Sequence, residues 1–131
     1  MQISPKSKGR AKPSGSRVEI FIWYFMRLSG VALFVLALAH FSILHFIYDP
    51  SKETADFILG QRWSELFWRV NDWLLLTLVV LHSTFGVRTV VNDYLHSPRG
   101  RVITLSLLYI LTLLLLAGGT MAVASAGAPG A

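Results

Sequence analysis

The 131-residue sequence contains no cysteine. Disulfides, thiolate metal centres, iron–sulfur clusters ligated by this chain and cysteine nucleophiles are therefore excluded. Charge is scarce as well: Asp, Glu, Lys and Arg make up 15% of the residues, against about 25% in soluble domains. Acids are scarcer than bases, 7 against 12, for a net charge of +5. That excess raises nucleic acid as a partner, but the basic residues gather at the ends of apolar runs and no nucleic-acid-binding module accompanies them. They read instead as topology signals and contacts to anionic lipid, so a lipid bilayer is the expected surrounding and no nucleic acid is expected. What is abundant is apolar: 53% of 131 residues, or about 69, where three spans of about 20 residues need about 60. The expected fold class is all-α integral membrane, with three transmembrane helices and a short interfacial helix before the second.

Residues 1–19 form a basic stretch with Lys6, Lys8, Arg10, Lys12 and Arg17 among Ser, Gly and Pro, and are expected to be a flexible cytoplasmic tail. The membrane domain is expected over 20–124. The apolar run from Ile20 to Tyr48, broken only by Arg27, is too long for a signal-peptide core and has no small-residue cleavage site at its end. It reads as a retained first span. Asp49-Pro50-Ser51 then opens a polar connection in which Leu59, Trp63, Leu66 and Val70 recur at helical spacing, which predicts a short helix lying in the interface and leading into the next span. The second span is expected over 72–91 and the third over 102–124, joined by a polar connection, Asn92–Arg101, that contains Pro98 and Gly100. Residues 125–131 are expected to fray.

The Lys/Arg bias places the N-terminus and the second connection in the cytoplasm and the C-terminus outside. Aromatic residues mark both interfaces, with Phe21, Trp23 and Tyr24 inside and Tyr48, Trp63, Trp68 and Trp73 outside. The expected location is the cytoplasmic membrane of a prokaryote.

Ionisable groups inside spans are costly and usually functional. His82 lies about ten residues into the second span, roughly 15 Å deep in a core of about 30 Å. A neutral imidazole there has three readings: an axial ligand to haem iron, a hydrogen bond to a neighbouring helix, or a proton relay. Gly86, one turn on, would let a flat macrocycle approach the backbone. Asp93, eleven residues after His82, falls within about 20° of the same helical face and about 16 Å along the axis. Tyr94 adds a phenol that donates a hydrogen bond to a carbonyl oxygen. Asp93 and Tyr94 therefore suit a quinone, or simple snorkelling at the membrane edge. Arg27, followed by Ser29 and Gly30, is either a snorkelling anchor or a cation for a haem propionate or the quinone site. Arg88 lies about 240° around the helix from His82 and reads mainly as an anchor. His40 and His45 approach the outer end of span one. His40 is either a satisfied or solvent-facing histidine or the ligand of a second haem. His96 reads as a solvated loop residue or as an aid to protonation near Tyr94. Span three carries little chemistry, and its Gly118 and Ala122 form a small-xxx-small pair suited to close packing.

Arg27-Leu28-Ser29-Gly30, followed by His82-x-x-x-Gly86-x-Arg88-x-x-x-x-Asp93-Tyr94, resembles the small membrane-anchor subunits of succinate dehydrogenase, the D type more closely. The C-type anchors share His-x-x-x-Gly-x-Arg, but their Ser-x-x-His-Arg start is absent here, where Met26 precedes Arg27. The resemblance implies that His82 is an axial ligand of haem b, with the second ligand from a C-type anchor subunit. It implies that Asp93 and Tyr94 belong to the quinone site beside the iron–sulfur subunit, that Arg27 lies near the haem propionates and that Ser29 is a small polar position close by. His40 has no clear counterpart in single-haem anchors. Succinate would be oxidised in a separate flavoprotein subunit, so this chain belongs to an enzyme without holding its succinate site. The alternatives are a fumarate reductase anchor and a non-redox membrane helper, for which replacing His82 would affect stability only.

Overall fold

A computed structural model describes residues 16–126. The expected features of the basic tail up to residue 15 and of residues 127–131 lie outside the described residues. Helix α1 spans Arg17–Ser42 and runs on through a π-helical turn, Ile43–Ile47. A short helix α2, Ala55–Phe57, is followed by a second π-helical turn, Ile58–Arg62. Helix α3 covers Leu66–Tyr94 and α4 covers Pro98–Ser125. No strand occurs among the described residues. Three helical segments, of 31, 29 and 28 residues, are long and apolar enough to cross a membrane. At 1.5 Å per residue each exceeds about 40 Å, more than the hydrocarbon thickness of about 30 Å, so they tilt or project into the headgroup layers.

Local chemistry accounts for where the helices begin. Ser16 accepts a hydrogen bond from the Glu19 amide, and Glu19 places an acid in the first turn of α1. Thr54 caps α2 through the Phe57 amide. The expected interfacial helix is present but short. The repeat of Leu59, Trp63, Leu66 and Val70 does not lie on one helix, because Glu65 is extended (φ −95°, ψ 130°) and separates the π-helical turn from α3. Leu66 and Val70 are thus the first turns of the second long helix. The next connection is shorter than its polar composition suggests. Pro98 sits in the first turn of α4, where its missing N–H costs nothing. Ser97 accepts from the Gly100 amide at 3.2 Å and Arg101 donates to the Leu95 carbonyl at 3.0 Å. Three residues, 95–97, therefore suffice to reverse the chain.

Helix α3 packs against both α1 and α4. Among the described residues the buried ones are three apolar, Ile22, Val80 and Val91, and four polar, Ser29, Arg62, Thr84 and Thr112. Leu28, Phe34, Leu107, Leu113 and Met121 face outward. That inversion is what a lipid solvent dictates: apolar tails offer no hydrophobic drive between helices, so small residues and interhelical hydrogen bonds hold them. Between α3 and α4, Thr84 and Thr112 share a hydrogen bond of 2.7 Å, and Trp73 donates to Thr120 at 2.9 Å. The close approach falls at Gly119, where an added methyl would overlap the Leu76 side chain, and not at Gly118, around which a methyl would meet nothing. The small residue at the contact is therefore Gly119 and not the expected Gly118, one position on and about 100° around the helix.

Candidate functional site

Polar side chains occupy three levels along the α1–α3 contact. The two ends of the bundle are named here by the chain: the near end, where it enters at Arg17, and the far end, where residues 48–65 join α1 to α3.

His82 occupies the middle level. It is half-buried, and its Nδ1 lies 2.8 Å from the Ser29 hydroxyl, which is itself 3% exposed. A Cβ built at Gly30 would stand 3.6 Å from the imidazole Cε1, ordinary van der Waals contact, so the ring lies close beside the backbone of α1. One turn nearer, Phe25 and Phe85 pack edge to face at 5.4 Å between centroids. The mid-span histidine and the small polar residue of the Arg-x-Ser-Gly segment, 53 positions apart, are thus brought together.

Below them, towards the near end, a groove of about 630 Å³ opens between α1 and α3. Ile22, Met26 and Gly86 contribute to its wall, and Trp23, Arg27 and Arg88 bring aromatic and cationic groups to it. Arg88 pairs with Glu19 at 2.6 Å, so the expected anchor is an interhelical clasp. Arg27 is exposed and stacks its guanidinium on Trp23, 4.0 Å from the ring centroid. It does not contact His82 directly; both belong to the same helix pair, with the groove on the Arg27 side. Gly86 faces Met26, whose Cε would lie 3.7 Å from an added Cβ.

Helix α3 is unbroken from Leu66 to Tyr94, so the shared face of His82 and Asp93 is realised along one continuous helix. Asp93 is exposed and enters no ion pair among the described residues. Tyr94 is 77% exposed at the last turn. Both project from the near end, away from the bundle's own contacts.

The far level holds a cluster that spacing alone did not reveal. Asp72 receives two hydrogen bonds from Arg62, both 2.7 Å, and one from the Trp63 indole at 3.0 Å. His40 Nδ1 lies 3.3 Å from the same carboxylate. Arg62 also sits over the Trp68 ring at 4.9 Å. Hydrogen bonding to Asp72 raises the Arg62 pKa above its already high ordinary value, so the guanidinium stays charged although buried. The available signal was an acid at the start of a span with an arginine ten residues before it. His40 is therefore held among charged partners, while His45 stacks on Phe41 and His96 is exposed in the α3–α4 turn. No group of three or more His, Asp or Glu side chains that could hold a bare metal ion occurs among the described residues.

Long apolar helices joined by buried polar contacts define an integral membrane protein of three spans. A model of the family described as the succinate dehydrogenase/fumarate reductase transmembrane subunit matches residues 3–121, and the chain belongs to that family. It is 28% identical over 103 residues to the succinate dehydrogenase hydrophobic membrane anchor subunit of Rickettsia typhi, covering 76% of this chain and 79% of the relative. The resemblance carried by Arg27–Gly30 and His82–Tyr94 agrees with both comparisons.

Proposed function

We propose that this chain is the D-type hydrophobic anchor of a succinate:quinone oxidoreductase, helping to bind haem b and the quinone that accepts electrons from succinate. The observation that carries the haem reading is His82: a half-buried imidazole in the middle of a span, beside Gly30, with Arg27 and Arg88 on the adjoining groove. That donor set suits a haem, which needs a neutral nitrogen ligand for iron, apolar walls for the macrocycle and cations for its propionates. His82 would be the axial ligand, Gly86 and Met26 part of the wall, and Arg27 the propionate partner, with Ser29 behind the ligand. Bound there, haem supplies a one-electron store beside the quinone site.

His82 is the one imidazole in the middle of a span among the described residues, so a second imidazole ligand for haem would come from a C-type partner anchor. His40 is a structural histidine in this reading, supported by its contact with Asp72. Two haems per chain would return His40 to the ligands.

Tyr94 would donate a hydrogen bond to a quinone carbonyl, and Asp93 would pass protons from water to the reduced oxygen. Reduction of the quinone takes two electrons and two protons. The electrons come from succinate through the flavoprotein and iron–sulfur subunits, which the anchor holds at the membrane. The near end accordingly lies at the cytoplasmic face of a prokaryotic membrane, and the C-terminus lies outside. A fumarate reductase anchor would share this chemistry, and the name of the R. typhi relative favours succinate.

The test is a reduced-minus-oxidised spectrum of the purified native complex and of His82→Ala, with haem counted per copy of this chain. One b-type haem in the native complex, absent from His82→Ala while the flavoprotein stays membrane-bound, is the expected result. A full haem signal in His82→Ala would refute the ligand assignment. For the quinone site, Tyr94→Phe is expected to lower succinate–quinone turnover at least about tenfold, with the loss confined to the quinone acceptor.

A further inference from the structure

We infer that Ser29 is a positioning residue that selects the tautomer of His82 and aims its free nitrogen, an inference that rests on the haem reading above. The Ser29 hydroxyl has one proton and two close neighbours, the Phe25 carbonyl oxygen at 2.5 Å and His82 Nδ1 at 2.8 Å. A carbonyl only accepts, so two oxygens that close need a hydrogen between them, and the serine proton goes to Phe25. The contact with His82 then requires its proton to come from the ring. His82 is therefore a donor at Nδ1, and its lone pair stands on Nε2.

Three consequences follow. The nitrogen that can bind iron is chosen before any ligand arrives, because the alternative tautomer would leave two lone pairs facing each other at Nδ1 and the hydroxyl. Donating its Nδ1–H to the Ser29 oxygen makes the ring a stronger electron-pair donor at Nε2, as outer partners of ligating histidines do. The ring plane is also held, since Ser29 lies on α1 and the ring on α3, with the Gly30 backbone close beside Cε1. Ser29 acts through His82 and need not touch the macrocycle. Its burial, 3% exposed, keeps water from substituting for it.

The experiment compares Ser29→Thr, which keeps the hydroxyl, with Ser29→Val, which has nearly the same shape without it, in the native complex alongside His82→Ala. Haem per chain, haem midpoint potential and the low-spin electron paramagnetic resonance of the oxidised haem are read, with membrane-bound flavoprotein as the measure of assembly. Ser29→Thr is expected to match the native complex. Ser29→Val is expected to hold haem about 10–100-fold more weakly. Any haem it retains is expected at a raised potential, because a less basic imidazole stabilises ferric iron less. Should Ser29→Val fail to assemble, the smaller Ser29→Ala gives the same comparison without crowding. Native haem content, potential and resonance in the hydroxyl-free variants, with His82→Ala haem-free, would overturn the inference alone. Equal losses in Ser29→Thr and Ser29→Val would also overturn it, by tracing the effect to volume. Haem retained in His82→Ala would overturn the ligand assignment itself, and this inference with it.

Discussion

At the far end, the Asp72 carboxylate meets Arg62 twice, the Trp63 indole once and His40 at 3.3 Å. At mid-depth, His82 meets Ser29 through one nitrogen, and at the near end Asp93 and Tyr94 project outward. The same residue types, histidine and aspartate, are thus used in two ways along the α1–α3 pair. The far cluster pairs its charges within the chain, with only the buried Arg62 Nη1 left without a hydrogen-bond partner. One ring nitrogen of His82 and the side chains of Asp93 and Tyr94, by contrast, meet no partner among the described residues. A closed set of buried charges ties the 48–65 connection to α1 and α3, and an open set is what a cofactor or substrate can complete. Perturbing the first should cost stability, and perturbing the second should cost ligand.

The largest stability effect is therefore expected from Asp72→Ala. Its side chain is 12% exposed and that of Arg62 3%. The substitution would strand a buried guanidinium, which typically costs about 3–5 kcal/mol. Melting of the complex in mild detergent, followed through this chain, should fall steeply for Asp72→Ala. Asp93→Ala, an exposed aspartate on the same helix, should stay within about 0.5 kcal/mol of native. Equal losses at the two positions would erase the distinction between the closed and open clusters.

Much of the fold was legible because a lipid environment demands long apolar helices, and three such runs stand out with little between them. The pairing of His82 with Asp93 on one face was also legible, since helical periodicity carries it. The contacts between helices were not. Ser29 and His82 are 53 residues apart, and nothing in the spacing of either segment states their register. Arg62 and Asp72 were obscured differently: a break at Glu65 separates them, so no single periodicity connects them. Pro98 was read as part of a loop because proline punctuates both loops and helix starts, and only the cap at Ser97 distinguishes the two.

A smaller effect is expected where α3 meets α4. Thr84 and Thr112 each reach a carbonyl of their own helix, Val80 and Leu108, as well as one another. Two hydroxyl protons cannot serve all three contacts, so one intrahelical bond yields to the interhelical one. Thr84→Val keeps the shape and removes one hydroxyl. It should cost about 0.6 kcal/mol, the usual size of such bonds in membranes, measured as a small drop in melting temperature with haem content unchanged. A loss as large as that of Asp72→Ala would mean that this contact, and not the far cluster, holds the bundle.

The smallest effect separates two neighbouring glycines. Gly119 lies against Leu76, whose side chain must change rotamer to admit a methyl, at a cost of about 0.5–1.5 kcal/mol. Gly118 has no such neighbour. Both substitutions to alanine gain helix propensity, by up to about 1 kcal/mol. Gly118→Ala should therefore leave the melting temperature unchanged or slightly raised, and in Gly119→Ala the rotamer cost should offset that gain, leaving it within about 0.5 kcal/mol of native. If Gly118→Ala proved the more damaging of the two in the assembled complex, its face of α4 would be packed against another subunit. The closed and open regions would then be divided by helix face as well as by depth.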